Sequence, residues 1–147
     1  MPEKETIKRA RRDKRQGKAP STQAGEFVRE EIEHVREGKH GARSTKQAIA
    51  IGLSKARRSG VNLPAPKPGQ ASKETRASAK SALRRRGKKT SAKRSRAVRS
   101  ALKREGHSAA SRSALSRQAR TASRKRSAKS RSAAARKAAR TRARQSA

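Results

Sequence analysis

The feature that most constrains this chain is the separation of its large apolar residues from most of its positive charge. Most of the Val, Ile, Leu and Phe side chains lie in residues 21–63, whereas residues 70–147 carry 27 Lys and Arg against 2 acidic residues. The formal net charge of all 147 residues is +34, and the chain has one Phe and neither Trp nor Tyr. Such a chain cannot bury enough apolar surface to order its full length. The sequence therefore predicts a small folded module joined to a polycation.

Four segments follow from this distribution. Residues 1–20 form a basic arm, predicted to be disordered, and residues 21–63 form a predicted helical hairpin. Residues 64–70 contain PAPKPG, a Pro-rich linker that favours an extended chain. Residues 71–147 form a basic tail of Ala, Ser, Lys and Arg, predicted to be largely disordered with weak helices. The predicted fold class is all-α.

The first helix of the hairpin is predicted to be amphipathic, with Ser21 or Thr22 as its cap and Gly38 as its stop. At about 100° per residue, the apolar residues share one face. They are Ala24, Phe27, Val28, Ile32 and Val35. Four of the five glutamates in GEFVREEIEHVREGK share the opposite face, and Glu31 falls in the apolar sector. This acidic stripe is Glu26, Glu30, Glu33 and Glu37. Like charges at this spacing repel, so we expect the stripe to bind the protein's own basic segments.

The second helix begins with a capping box, because STKQ places Ser44 three residues before Gln47. Its apolar stripe passes through Gly52, which predicts close contact with the first helix, and Gly60 ends the helix. The stripe consists of Thr45, Ala48, Ile49, Gly52, Leu53 and Ala56. Ile51 lies off this stripe beside Ala48, and a hairpin of this size is near the lower limit for folding alone. We therefore expect a homodimer through that edge.

The tail contains a repeat, since SALRRRG at residues 81–87 recurs as SALKREG at residues 100–106. Residues 72–86, 91–105 and 108–126 each have the Ala-rich composition of a weak helix. Isolated helices of this length are marginal in water. We expect them to form when phosphates neutralise their Lys and Arg.

The phrase KHGARSTKQAIAIGLSKARR, within residues 25–61, resembles a family of small basic bacterial proteins of unknown function. Members of that family are sometimes labelled plasmid-stabilisation or DNA-binding proteins. The stretch KRSRAVRSALKREG, with the AASRSALSRQAR that follows it, is similar to their second half. The tail also resembles linker-histone tails in composition. The family has no assigned catalytic residues, so the resemblance implies none here.

Enzymatic activity is not expected. The chain has no Cys and no phosphate-binding Gly loop or nucleophile elbow, and its serines lie in low-complexity sequence. Glu30, His34 and Glu37 share a helix face as metal ligands would, but a solvated face is the preferred interpretation. We predict no metal, no cofactor and no small-molecule substrate. No apolar run approaches the roughly 20 residues of a membrane span, and the N-terminal segment lacks a signal-peptide core, so the expected location is cytoplasmic and nucleoid-associated.

The charge indicates nucleic acid as the partner. The predicted function is largely sequence-independent binding of duplex DNA through phosphates, with histone-like compaction or shielding. Stacking on single-stranded bases is not expected, because the chain has only one large aromatic residue, Phe27, and no Tyr or Trp. Base reading by the second helix is a weaker alternative, since the GKHGAR loop is longer than a helix-turn-helix turn. Two further alternatives stay open: an adaptor whose acidic stripe docks a protein partner, and an RNA- or ribosome-associated protein.

The residues predicted to bind nucleic acid are Lys and Arg at the ends of the second helix and in the tail. They are Lys39, Arg43, Lys46, Arg57, Arg58, Arg84, Arg85, Arg86, Lys88, Lys89, Lys93, Arg94, Arg96, Arg99, Lys103, Arg104, Arg124, Lys125 and Arg126.

Overall fold

A computed structural model of the protein describes all 147 residues, and the fold is all-α, as predicted. Seven α-helices follow one another, with a 3-10 turn at Ser108–Ala110 between the fifth and sixth. They are α1 (Lys4–Arg15), α2 (Pro20–Arg36), α3 (Thr45–Arg58), α4 (Lys73–Arg84), α5 (Ala92–Lys103), α6 (Arg112–Arg124) and α7 (Ala128–Ser146). None of the seven combines the length and hydropathy needed to cross a membrane.

The predicted hairpin is formed by α2 and α3. Ser44 caps α3, because its Oγ accepts a hydrogen bond from the backbone N–H of Gln47 at 3.1 Å. The start of α2 differs from the prediction. This helix begins at Pro20, and the residue before it, Ala19, makes no side-chain cap. Proline fits the first helical position because its missing N–H would have had no partner within the helix.

Gly52 sets the distance between α2 and α3. A β-carbon at this position would lie 2.6 Å from Cα of Val28 and 3.0 Å from the carbonyl oxygen of Phe27. Any larger residue would therefore force the two backbones apart. The sequence-based interpretation of Gly52 as a contact residue is confirmed.

The basic arm is ordered, which corrects the prediction of disorder for residues 1–20. Helix α1 packs against α2 and buries Thr6, Ala10 and Asp13 on one face. Ala10 joins a core cluster with Ala24, Phe27, Ala56 and Val61. Most Lys and Arg of the arm stay exposed, and the two that approach the packed face are paired: Arg9 with Glu26 and Lys18 with Asp13. The arm can therefore pack on α2 without burying an unpaired charge.

A second core cluster joins the tail to the hairpin. Ile32, Val35, Ala42 and Ala48 pack with Ala109 and Ala110 from the 3-10 turn. Thr45 Oγ1 donates to the carbonyl oxygen of Ala109 at 2.7 Å, and Arg36 Nε donates to that of Ala110 at 2.8 Å. The composition had indicated that the tail is a separate polycation. The tail is instead packed against the hairpin. Alanine fits this role because its small side chain lets one backbone approach another closely.

The tail is also helical without nucleic acid, contrary to the expectation that it would be largely disordered. Helices α4, α5 and α6 fall within the three predicted segments, but α7 was not predicted. Ser72, Ser111 and Ser127 each accept a capping hydrogen bond from a backbone N–H three residues later. Alanine has the highest helix propensity, and serine is a favoured N-cap. These local preferences offset the repulsion among the cations.

The two copies of the tail repeat contact opposite ends of α3. At the end of the first copy, the Gly87 N–H donates to the carbonyl oxygen of Arg58 at 3.1 Å. At the end of the second, the carbonyl oxygen of Gly106 accepts from the Ala42 N–H at 3.0 Å. The repeat thus ends each time in a backbone contact with the hairpin, so it is a docking element as well as a charged one.

The homodimer was predicted because a hairpin alone is too small to cover its apolar edge. The chain itself supplies that cover: Ala48 is fully buried by the 3-10 turn, with Leu115 packed against the same cluster. Ile51 is half-buried. Association through this edge stays a prediction, but the shortage of core that suggested it is met within one chain.

Candidate nucleic-acid interface

The cations predicted to bind nucleic acid fall into three positions: the tail helices, the segment between α4 and α5, and the two ends of α3. Helices α5, α6 and α7 bury no residue at all. The predicted tail cations are exposed without exception. They are Arg84, Arg85, Arg86, Lys88, Lys89, Lys93, Arg94, Arg96, Arg99, Lys103, Arg104, Arg124, Lys125 and Arg126.

The positive charge of the tail has no internal compensation. Every ion pair in the molecule joins residues between Glu3 and Lys55. The two acidic residues of the tail, Glu74 and Glu105, take part in none. All 27 Lys and Arg of residues 70–147 are therefore without a carboxylate partner. Such a surface attracts polyanions at long range.

The densest group of cations lies at residues 84–89, in the segment RRRGKK. This segment is held against the C-terminal end of α3. Arg86 Nη2 donates to the carbonyl oxygen of Gly60 at 3.1 Å, and the Arg58 guanidinium contacts the hydroxyl of Thr90. The neighbouring cations project from a fixed backbone, so they can meet phosphates with little loss of chain entropy.

Arg57 does not belong to this surface, which corrects its predicted role. It is buried, and it donates to the carbonyl oxygens of Leu63 at 3.2 Å and Pro64 at 3.1 Å. Burial lowers the pKa of this guanidinium. The linker folds back over the end of α3 and brings two free carbonyl groups to Arg57. Helical periodicity alone could not reveal this contact, because the linker has no periodicity.

At the N-terminal end of α3, Arg43 and Lys46 are exposed and make no ion pair. They can contact a phosphate beside the free N–H groups of the first turn. Lys39 is different, because its Nζ lies 2.9 Å from Glu37 and 3.4 Å from Glu3. Its hydrogen bond to Glu37 raises the pKa of Lys39. The charge of this lysine is therefore already partly paired with carboxylates of the protein.

The acidic stripe is used inside the molecule. Glu26 Oε2 accepts from Arg9 Nε of α1 at 2.6 Å, and this bond raises the pKa of Arg9. The expectation that the stripe binds the basic arm is confirmed for this pair. Glu30 was expected to face solvent but is 2% exposed, and its Oε2 accepts from the Glu3 N–H at 3.1 Å. Helix α1 covers this part of the stripe, which the sequence of α2 alone could not indicate.

Sequence reasoning missed a polar cluster beside the buried part of the stripe, formed with α3 and the loop after α2. Glu31, the one glutamate predicted to lie in the apolar sector, is 1% exposed, with Lys55 Nζ 2.5 Å from its Oε2. His40 Nε2 lies 2.9 Å from its Oε1. The metal-type trio considered from the sequence, Glu30, His34 and Glu37, is not what the fold assembles. Donor atoms of Glu31, His34 and His40 instead lie within 4.8 Å of one another.

Comparison with known proteins covers only part of the chain. Residues 3–67 match a family of unknown function, DUF6496. The matched residues comprise α1, α2, α3 and residues 64–67 of the linker, and they end before α4. The expected similarity to a family of unknown function is therefore confirmed for the front half. The chain matches no curated protein and no solved structure.

Proposed function

We propose that this protein binds duplex DNA through its phosphates, largely without regard to sequence, and compacts or shields it. The observation that carries the proposal is a net charge of +25 on residues 70–147 with no ion pair in that segment. Each cation that meets a phosphate releases a condensed counterion, and this release dominates non-specific affinity. A plasmid is one duplex that such binding would shield.

Helical order in the tail favours a duplex over a flexible single strand as the ligand. Rigid helices present their cations at fixed spacings, which suits the regular phosphates of a double helix. The only Phe, Phe27, is 1% exposed, so no aromatic ring is available to stack on unpaired bases. RNA duplexes remain competitors, because they also present a dense and regular array of phosphates.

The internal use of the acidic stripe weighs against the adaptor alternative. Glu26 is paired with Arg9, and Glu30 is buried under α1. Glu33 and Glu37 are half-buried or exposed, and both have cations within 3.0 Å. A partner protein would have to displace these contacts before it could dock on the stripe.

The test is a series of gel shifts with the full-length protein at several salt concentrations. The ligands are a duplex DNA, a scrambled duplex of equal length, a single-stranded DNA and an RNA hairpin. If about ten phosphates are contacted, the slope of log K against log salt is near −9. We expect equal affinity for both DNA duplexes and weaker binding of the single strand.

Two results would refute the proposal. A shallow salt slope would mean that phosphates do not carry the affinity. A strong preference for one duplex sequence would show that base contacts decide binding. Tighter binding to the RNA hairpin than to either DNA duplex would favour the RNA-associated alternative.

A further inference from the structure

The cluster of Glu31, His34 and His40 is the one group of metal-ligating side chains that the fold brings together. Glu31 and His34 lie on α2, one turn apart, and His40 comes from the loop that joins α2 to α3. One donor atom of each residue lies within 4.8 Å of the other two. The side chains of Glu31, His34 and His40 are 1%, 14% and 11% exposed, respectively.

The hydrogen bonds of His40 leave one of its nitrogen atoms facing a negative oxygen. Its Nδ1 lies 2.9 Å from the carbonyl oxygen of Gly41, which only accepts, so the proton sits on Nδ1. Its Nε2 lies 2.9 Å from Glu31 Oε1, a contact that either a proton on Nε2 or a shared metal ion would satisfy.

His34 has the outer contact that metal-bound imidazoles usually have. Its Nε2 lies 3.0 Å from Glu3 Oε1, a carboxylate that accepts a hydrogen bond. This contact places a proton on Nε2 and leaves the lone pair on Nδ1. Carboxylates that hold the far nitrogen in this way fix the tautomer and orientation of a ligating histidine. His40 has the equivalent arrangement through the Gly41 carbonyl.

The surrounding charges also favour a further cation. Glu30 and Glu31 are both buried, and Lys55 is the ammonium group that reaches them, at 4.0 Å and 2.5 Å. Oε1 of Glu30 is buried and has no hydrogen-bond partner. Two buried carboxylates beside one ammonium require a second positive charge, which a protonated His40 or a bound metal ion would supply.

We propose that Glu31, His34 and His40 form a binding site for a divalent transition metal, with Zn²⁺ as the best match. Two imidazoles and one carboxylate suit Zn²⁺, whereas Mg²⁺ and Ca²⁺ prefer oxygen ligands. At Zn–N and Zn–O distances of about 2.0–2.2 Å, His40 Nε2 and Glu31 Oε1 need to separate by a few tenths of an ångström. The loop position of His40 permits this shift.

The metal would fasten a segment that also holds the tail. The loop residues next to His40 donate to tail carbonyl oxygens: the Gly41 N–H to Leu102 at 2.9 Å and the Ala42 N–H to Gly106 at 3.0 Å. A β-carbon at Gly41 would overlap the carbonyl group of Glu105, so the two backbones are in close contact. Zn²⁺ would tie this loop to α2 and so stabilise the docking of α5. The site is independent of the proposed nucleic-acid binding.

The test uses the full-length protein, stripped with EDTA, and Zn²⁺ alone as the probe near neutral pH. After loading and desalting, elemental analysis should find about one Zn²⁺ per chain. Glu31→Gln, His34→Ala and His40→Ala should each lose it. The matched control is His107→Ala, because His107 is exposed and outside the cluster, and it should retain the metal.

A second readout separates a metal site from a merely structural cluster. In the wild-type protein, Zn²⁺ should slow amide hydrogen exchange at Gly41 and Ala42, and in His40→Ala it should not. A wild-type protein that retains no Zn²⁺ would overturn the proposal, and so would His34→Ala and His40→Ala variants that still retain it. If a variant loses its helical circular dichroism, the comparison of hydrogen exchange in the wild-type protein with and without Zn²⁺ tests the proposal on its own. Exchange that Zn²⁺ does not change would count against the metal site.

Discussion

The front of the molecule, residues 1–69, and the tail, residues 70–147, are both helical, yet different forces hold their helices. The front has 17 basic and 8 acidic residues, contains all ten ion pairs, and buries Phe27, Ile32 and Val35. The tail has 27 basic and 2 acidic residues, and the residues that it buries are four alanines. They are Ala79, Ala82, Ala109 and Ala110.

This difference shows that helicity does not distinguish the two regions. Charge compensation does. In the front, carboxylates hold the arm and the hairpin together, so some of its cations are already engaged in ion pairs. In the tail, helix propensity and serine caps maintain the helices while every cation stays without a carboxylate partner. Four predictions test this contrast, in decreasing order of effect.

The largest difference concerns DNA affinity. Neutralising six exposed tail cations to Gln should lower duplex affinity strongly and make the salt slope shallower by about one for each phosphate that is no longer bound. The six are Arg84, Arg85, Lys88, Lys89, Lys93 and Arg94. Gel shifts across a salt series measure both quantities.

The matched control for the DNA experiment neutralises six exposed front cations that make no ion pair. They are Lys4, Arg11, Arg12, Lys14, Arg15 and Lys67. Both variants lose the same net charge, but the front variant should bind more tightly than the tail variant. Equal loss of affinity in both would mean that total charge, not the tail, governs binding.

The second difference concerns core packing. Phe27 is 1% exposed at the centre of the front cluster, whereas Val98 of α5 is 51% exposed. Phe27→Ala should lower the free energy of unfolding by about 3–5 kcal/mol. Val98→Ala should change it by less than about 0.5 kcal/mol. Urea denaturation measures both values, and a comparable loss of stability at Val98 would show that the tail has a core of its own.

The third difference lies between two glycines of the hairpin. Gly52→Ala should destabilise the fold by about 1–3 kcal/mol, because its β-carbon would meet the backbone of Val28. Gly25→Ala, in α2, has no atom within 4 Å of the new β-carbon. It should raise stability by up to about 1 kcal/mol through helix propensity. Thermal unfolding gives the sign of each change, and equal signs would contradict the close approach of α2 and α3.

The smallest effect concerns the link between stripe and arm. Glu26→Gln should release Arg9 and tighten DNA binding at low salt by at most about fivefold, because a pair of this kind contributes about 0–1 kcal/mol. Glu74→Gln is the control, since Glu74 lies in the tail and makes no ion pair. Both substitutions raise the net charge by one. If they tighten binding equally, Arg9 is not being withheld from DNA.

Much of the local structure could be predicted from the sequence. The capping role of Ser44, the contact role of Gly52 and the tail helices within residues 72–126 follow from short-range patterns, and the fold bears them out. Helix α7 has the same signals, with Ser127 as its cap and an Ala-rich interior, so the same rule applied to the whole tail would have included it.

The candidate sites were harder to predict because they depend on which segments meet. Arg57 was assigned to the interface, yet it is buried under linker carbonyl groups. Ala109 and Ala110 were part of a low-complexity tail, yet they complete a core cluster. His40 is 9 residues from Glu31 along the chain, and only the fold of the loop brings them to 2.9 Å. None of these contacts leaves a periodic signal.

Local sequence decides where this protein is helical and how its charge is distributed, because helix propensity, capping and formal charge belong to individual residues and their near neighbours. Tertiary structure alone decides which charges are free. Glu26 is paired with α1, and Glu30 and Glu31 are buried, because α1, α3 and the loop after α2 pack against them. The tail keeps its cations unpaired because its two acidic residues, Glu74 and Glu105, meet none of them, and pairing requires two groups to meet in space.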